Sequence, residues 1–290
     1  MIPPAFDYHR PESLPEAIEL LTRYGEGAKI LSGGQSLLPL LKIRLAAPEH
    51  LIDIGKIAGL TYLREEDGFL RIGACTSESA LEKSELVQRR YLLLHDTTRV
   101  IADPLVRNRA TVGGNLAHGD PANDHPATMI ALRADIVVIG PAGERVIPAG
   151  QFFRGLYTTA LAADEILIEV RVPVPPPRSG GAYVKLERKV GDYATAATAA
   201  QVALDESGAI ARAGLGLTNA GTVPVQPTAA ESYLAGKQPT DDVVAEAARL
   251  AGEAAQPSPD RRGSVEYKRA MARIHTGRAL SLAIQRARGR

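Results

Sequence analysis

The feature that most constrains this chain is a glycine pair that occurs twice in similar company, as Ser32-Gly33-Gly34-Gln35-Ser36 and as Thr111-Val112-Gly113-Gly114-Asn115. In each, short polar side chains flank two residues that lack a Cβ and tolerate positive φ, so backbone N–H groups can crowd toward one point. A concave run of amides suits an anion, and Ser32, Ser36, Thr111 and Asn115 add donors that a phosphate oxygen accepts. Taken singly, each pair also reads as an ordinary tight turn. Taken together, they could grip the two phosphates of one dinucleotide from opposite sides. Neither continues into Gly-Lys-Ser/Thr, and no G-x-G-x-x-G occurs, since Gly214 to Gly221 misses by spacing; a mononucleotide kinase and a Rossmann dehydrogenase are therefore poorly supported.

Local signals divide the chain into three units. At 290 residues it exceeds the usual domain of about 100–200. Residues 1–54 carry a capping box, Ser13 accepting from the Glu16 amide, then an amphipathic helix with Ala17, Leu20, Leu21 and Tyr24 on one stripe and Gly25 as its stop. The strands Ala28 to Leu31 and His50 to Ile54 complete a βαβ-like unit. Residues 55–177 begin with a strand leading to Thr76 or Ser77 as N-cap, run through a long helical stretch from Ser79 to Ile101, and close on a strand that enters Pro175, Pro176 and Pro177. Residues 178–290 read as three antiparallel strands followed by two helices capped by Thr240 and Ser264.

Charge and cysteine usage exclude some functions. Lys and Arg (34) nearly cancel Asp and Glu (33), so there is no basic field to draw a nucleic acid. The single cysteine, Cys75, cannot form an internal disulfide or ligate an iron–sulfur cluster, which needs several thiolates; any such centre belongs to a partner. Cys75 has no His or carboxylate readable beside it and is expected to be buried and inert. No basic leader with an apolar core and no run of about 18 apolar residues occurs, so a cytoplasmic protein without a transmembrane segment is expected. His118 and His125 bracket Asp120 and Asp124, but no further ligand stands at helical spacing, and a metal site is not expected there.

The stretches KILSGGQSLLPLLKIRLAAPEHLIDI and TVGGNLAHGDPANDHPATMIAL resemble the two double-glycine FAD motifs of the flavin subunit of the molybdenum hydroxylases, the relatives of xanthine dehydrogenase. The resemblance covers essentially the whole chain, and AHGDPANDHPA and KLERKVGDYATAA most resemble the carbon monoxide dehydrogenase branch. It implies an α+β fold: a two-subdomain FAD-binding module of the vanillyl-alcohol oxidase (PCMH) type, then a C-terminal domain with a small antiparallel sheet and helices. It also implies that Lys29, Ile30, Leu31, Ser32, Gly33, Gly34, Gln35 and Ser36, with Thr111, Val112, Gly113, Gly114 and Asn115, line FAD, mostly through backbone amides on the pyrophosphate.

Asp124 then matches an acidic FAD contact, Leu161 a backbone contact and Lys185 a cationic contact near the ring. Ile101 matches a position that packs near the flavin and is aromatic in some relatives. Asp192 and Tyr193 fall in a segment approaching the isoalloxazine, where Tyr193 could shield one face. Read without the resemblance, Asp124 is a turn residue, Lys185 belongs to a solvated charged run with Arg188 and Lys189, and Tyr193 is a packing residue.

The implied partners are a small subunit with [2Fe-2S] clusters and a large subunit with the molybdenum cofactor, in a dimer of heterotrimers that delivers electrons to an acceptor such as quinone. No residue here is expected to be catalytic, because substrate oxidation falls to the large subunit. Two alternatives remain: the same subunit in a complex oxidising an aromatic heterocycle or aldehyde, and a nucleotide-binding scaffold without redox function.

Overall fold

A computed structural model describes residues 2–289 and shows three larger sheets and a two-stranded one, Phe153–Gly155 with Thr158–Thr159. The Ser13 hydroxyl accepts from the Glu16 amide at 3.3 Å, and the Glu16 carboxylate accepts from the amide of Glu12 at 2.8 Å. The helix Leu14–Tyr24 then ends at Gly25, whose φ of +51° an L side chain resists. Its buried face, Ala17 and Leu21, packs toward a parallel sheet ordered Asp7–His9, His50–Asp53, Ala28–Leu31. The strand Asp7–His9 has no alternating apolar pattern and escaped the sequence reading.

The second sheet is antiparallel, ordered Leu63–Glu66, Phe69–Gly73, Ile166–Pro173, Asp135–Gly140, Gly143–Pro148. Ile166–Pro173 is central because Ile166, Leu167, Val170 and Val172 are all buried. The stretch expected to be one long helix is three: Glu78–Lys83, Glu85–Arg90 and Leu92–Arg99. The break is local chemistry. Ser84 takes an extended ψ of 117° and accepts from the Val87 amide, so it ends one helix and caps the next.

The third sheet orders Ser179–Leu186, Ala196–Leu204 and Ile210–Thr218 antiparallel. Its alanines and glycines let helices close on both faces. A Cβ on Gly180 would lie 2.0 Å from the Ala283 carbonyl oxygen of the helix Val265–Ala287, and Cβ atoms on Gly214 and Gly216 would lie 2.0 Å from the Ala131 and Ala127 oxygens. Those two residues belong to the helix Asp124–Ala131. Close packing of that helix brings its first residue, Asp124, against Tyr183 and Lys185 on the sheet.

Candidate functional site

The two glycine motifs meet. The hydroxyls of Ser32 and Thr111, 79 residues apart in sequence, are 2.9 Å apart, and a Cβ on Gly33 would lie 2.1 Å from the Arg109 carbonyl oxygen. Above this junction opens a cavity of about 950 Å³, at the upper end of the range of about 300–1,000 Å³ for small-molecule and cofactor sites. Twelve of the expected residues line it: Lys29 through Ser36, Thr111, Gly114, Asn115 and Leu161. Its remaining wall comes from residues with no motif to announce them, including Ala46 to Glu49, His118, Tyr157 to Thr159 and Glu165. Only the fold brings these segments together.

The two motifs are not equivalent, which corrects the expectation of twin amide cradles. Among the described residues, none accepts from the amides of Gly33, Gly34, Gln35 or Ser36, and all four residues line the cavity. Gly34 has a φ of +76°. In the second motif the amides are already engaged: Val112 donates to the Thr76 carbonyl (3.1 Å), Gly113 to Ala74 (3.0 Å), Gly114 to Oγ1 of Thr111 (3.2 Å) and Asn115 to the Thr111 carbonyl (2.9 Å). Thr111 is the N-cap of the helix Val112–His118, and neither glycine there has positive φ. Gly113 is required by contact, since its Cβ would stand 2.6 Å from that of Ala74. Asn115 also lines the cavity, although its Oδ1 is buried away from it without a partner among the described residues.

These observations fit a dinucleotide. Free amides beside the cavity suit a pyrophosphate. Cys75 is buried beneath the floor, its Sγ 3.4 Å from the Ser32 hydroxyl and 3.7 Å from the Ile54 carbonyl, and burial pushes its thiol pKa up.

Asp124, Lys185, Ile101, Val112, Gly113, Asp192 and Tyr193 are not among the lining residues. Lys185 is far from solvated: its side chain is 3% exposed, and Nζ donates to Oδ2 of Asp124 and to the Val100 carbonyl, each at 2.9 Å. Oδ1 of Asp124 accepts from the Tyr183 hydroxyl at 2.7 Å. Burial raises the Asp124 pKa against the pull of Lys185 and Tyr183. Ile101 is buried next to Val100, its carbonyl held at 3.0 Å by the buried guanidinium of Arg107, which also pairs with Glu82. Arg107 is therefore structural. His125 faces Glu78 at 2.7 Å with both side chains fully buried, a pair that had no local signature. Asp192 accepts from Arg188 and Arg262, while Tyr193 is half exposed.

Residues 4–175 match the family described as the FAD binding domain in molybdopterin dehydrogenase, and residues 181–283 match the CO dehydrogenase flavoprotein C-terminal domain. The carbon monoxide dehydrogenase medium chain of Hydrogenophaga pseudoflava is 46% identical over 98% of this chain and 98% of its own length. A solved carbon monoxide dehydrogenase from that organism, lacking the Mo-pyranopterin moiety of the molybdenum cofactor, superposes with a TM-score of 0.96 at 47% identity, covering 99% of both chains. Quinoline 2-oxidoreductase from Pseudomonas putida 86 superposes with a TM-score of 0.92 at 33% identity, also covering 99% of both chains.

Proposed function

This chain belongs to the molybdenum hydroxylase family as an FAD-binding medium subunit, and from that premise we propose that it is the electron exit of a three-subunit oxidoreductase, most closely of the carbon monoxide dehydrogenase kind. FAD, when bound, accepts electrons singly and releases them in pairs, which joins one-electron donors to a two-electron acceptor. The donors are [2Fe-2S] clusters of a small partner subunit, the substrate is oxidised at a molybdenum centre in a large one, and an external acceptor such as quinone takes the electrons. The complex is a cytoplasmic dimer of heterotrimers, associated through its partners with the inner face of the membrane. Among the described residues no helix is long and apolar enough to cross a membrane.

The observation that carries this reading is the run of acceptor-free amides from Gly33 to Ser36 where the two motifs meet. These amides bind the pyrophosphate, Thr111 and Asn115 orient it, and the packed side chains around them exclude water. With FAD bound, the buried Asp124–Lys185 pair would set the charge near the ring from outside the cavity lining, and the Asp192–Tyr193 turn would cover it. A lone buried cysteine agrees with iron–sulfur clusters held elsewhere.

The test is a visible absorption spectrum of the tagged chain drawn from its host with partners attached. A flavin band overlaid on iron–sulfur absorbance supports the proposal. Flavin without iron refutes the complex, and the absence of both returns the chain to a scaffold role. The match to quinoline 2-oxidoreductase keeps an aromatic heterocycle as the second reading; reduction of the same complex by carbon monoxide, against quinoline, decides between them.

A further inference from the structure

The turn Lys189 to Tyr193 is held by the C-terminal domain's last loop. Oδ1 of Asp192 accepts from Nη2 of Arg262 at 2.9 Å and from the Tyr193 amide at 2.8 Å, while Oδ2 accepts from Nε of Arg188 at 3.1 Å. The Asp192 side chain is 9% exposed. On its other side the turn rests on the backbone beside Ile101: Gly191 has a φ of +81°, and a Cβ there would lie 2.7 Å from the Ala102 carbonyl oxygen. The guanidinium of Arg262 also lies 6.0 Å from the Tyr193 ring centroid, at the outer limit of a cation–π contact.

Arg262 is itself fixed. Its amide donates to Oδ1 of Asp260 at 2.7 Å, Oδ2 of Asp260 meets Nζ of Lys268 at 2.8 Å, and Nζ also donates to the Ser258 carbonyl at 2.9 Å. Lys268 is 2% exposed in the first turns of the helix Val265–Ala287, capped by Ser264. The loop closes through two hydrogen bonds of 3.2 Å between the backbones of Asp260 and Gly263. A chain of charged contacts thus runs from a buried lysine in the terminal helix to Tyr193. By contrast Arg188, the other cation on Asp192, is 58% exposed and immediately precedes the turn it would have to restrain.

We infer that Arg262 is a positioning residue for the flavin, holding in place the Asp192–Tyr193 turn whose Tyr193 ring would cover the isoalloxazine. This rests on the reading of Tyr193 as the residue that shields the ring. The geometry separates the two jobs of the protein: the amides of Gly33 to Ser36 retain the cofactor, and the latch sets the environment of its reacting end.

The test uses the whole complex carrying Arg262→Met, Arg262→Lys, Tyr193→Ala, or Arg262→Met with Tyr193→Ala. Arg262→Met keeps its flavin content but shifts the flavin absorption envelope and changes the rate of flavin reoxidation by an artificial acceptor by roughly threefold or more, within the range of couplings between contacting groups. Arg262→Lys restores part of the change. In the Tyr193→Ala background Arg262→Met adds nothing further. If Tyr193→Ala alters spectrum and rate while Arg262→Met leaves both unchanged, the latch is refuted and the shielding role stands. If Tyr193→Ala alters neither, the shielding role fails and the latch with it. Should Arg262→Met reduce assembly, Asp192→Asn reaches the same turn from the other side; the wild-type spectrum and rate in that variant would equally overturn the inference.

Discussion

Replacing Gly33 by alanine probes the junction on which the site depends. The new methyl would stand 2.1 Å from the Arg109 carbonyl oxygen, 2.9 Å from Cα of Ala110 and 3.0 Å from the Arg109 carbonyl carbon. All three are backbone atoms, and the Arg109 and Ala110 amides are themselves bonded to the Val106 carbonyl at 2.9 and 2.7 Å. No side chain can swing away, so the two motifs must part by about 1 Å to restore ordinary contact. Overpacking of this kind costs about 1–3 kcal/mol, and loss of the Ser32–Thr111 hydrogen bond adds about 1 kcal/mol. The apo-protein should then melt roughly 3–7 °C lower. Displacing the amides also removes at least one hydrogen bond to a charged phosphate, about 1.5–3 kcal/mol, which weakens FAD binding roughly tenfold to a hundredfold. Gly34→Ala is the control, because its Cβ meets side-chain atoms alone, Cδ1 of Leu38 at 2.9 Å, Cγ of Leu38 at 3.2 Å and Cδ1 of Leu31 at 3.4 Å, and its positive φ costs about 1–2 kcal/mol. The assay is flavin released per complex, with a fluorescence titration of the apo-protein and melts with and without FAD. Wild-type affinity in Gly33→Ala would refute the shared-junction argument.

Three further outcomes are expected. Asn115→Leu replaces a polar residue of the cavity wall whose Oδ1 has no partner among the described residues, so the apo-protein should be as stable as before while FAD affinity falls about fivefold, the equivalent of about 1 kcal/mol; a lower apo melting temperature with unchanged titration would contradict this. At Glu169, burial raises the carboxyl pKa, but hydrogen bonds from Arg71, Tyr62 and Arg171 outweigh it and hold the carboxyl below its usual 4.5. Its stabilisation is therefore present above pH 4.5 and lost as the pH falls through the lower folded-state value. Arg71→Met should cost near the lower end of roughly 3–5 kcal/mol at neutral pH, since Arg171 remains, and should flatten that acid limb in denaturation curves. Asp124 has the opposite sign: its raised pKa means that the folded state loses stability as the pH rises from 3.8 through the folded value. Lys185→Met leaves that carboxylate without its cation, so the destabilisation should be larger at pH 8 than at pH 4, and adding Asp124→Asn should recover most of it; equal losses at both pH values would sink the assignment.

Much of the local architecture was legible because its causes lie within a few residues. Ser13, Thr240 and Ser264 cap helices in the sequence and do so in the structure. Alternating or continuous apolar runs marked Ala28–Leu31, Ile166–Pro173 and the strands of the third sheet. Where the local cue was itself ambiguous the reading slipped: Ser84 sits inside an apolar period that continues past it, and only its extended ψ shows that it stops one helix and starts another. The same limit applies to Lys185. With Arg188 and Lys189 beside it, its solvated reading was the default, and nothing nearby announces that Asp124, 61 residues earlier, waits for it in the interior.

The sequence by itself determined that two glycine pairs with polar flanks would form tight, Cβ-free approaches, that this chain could hold no iron–sulfur cluster of its own, and where most helices begin. Those properties follow from side-chain size, hydrogen-bonding groups and periodicity over a few residues. Only the tertiary structure decided that Ser32 touches Thr111, that the first motif keeps free amides while the second spends those of Val112 to Asn115 on Ala74, Thr76 and Thr111, and that the loop bearing Arg262 reaches Asp192 across 70 residues. A hydrogen-bonding group does not encode whether its partner will be a neighbour, a distant strand or a ligand. That is settled when the helices close on the third sheet and the two motifs meet, because only then is it fixed which polar groups are already satisfied.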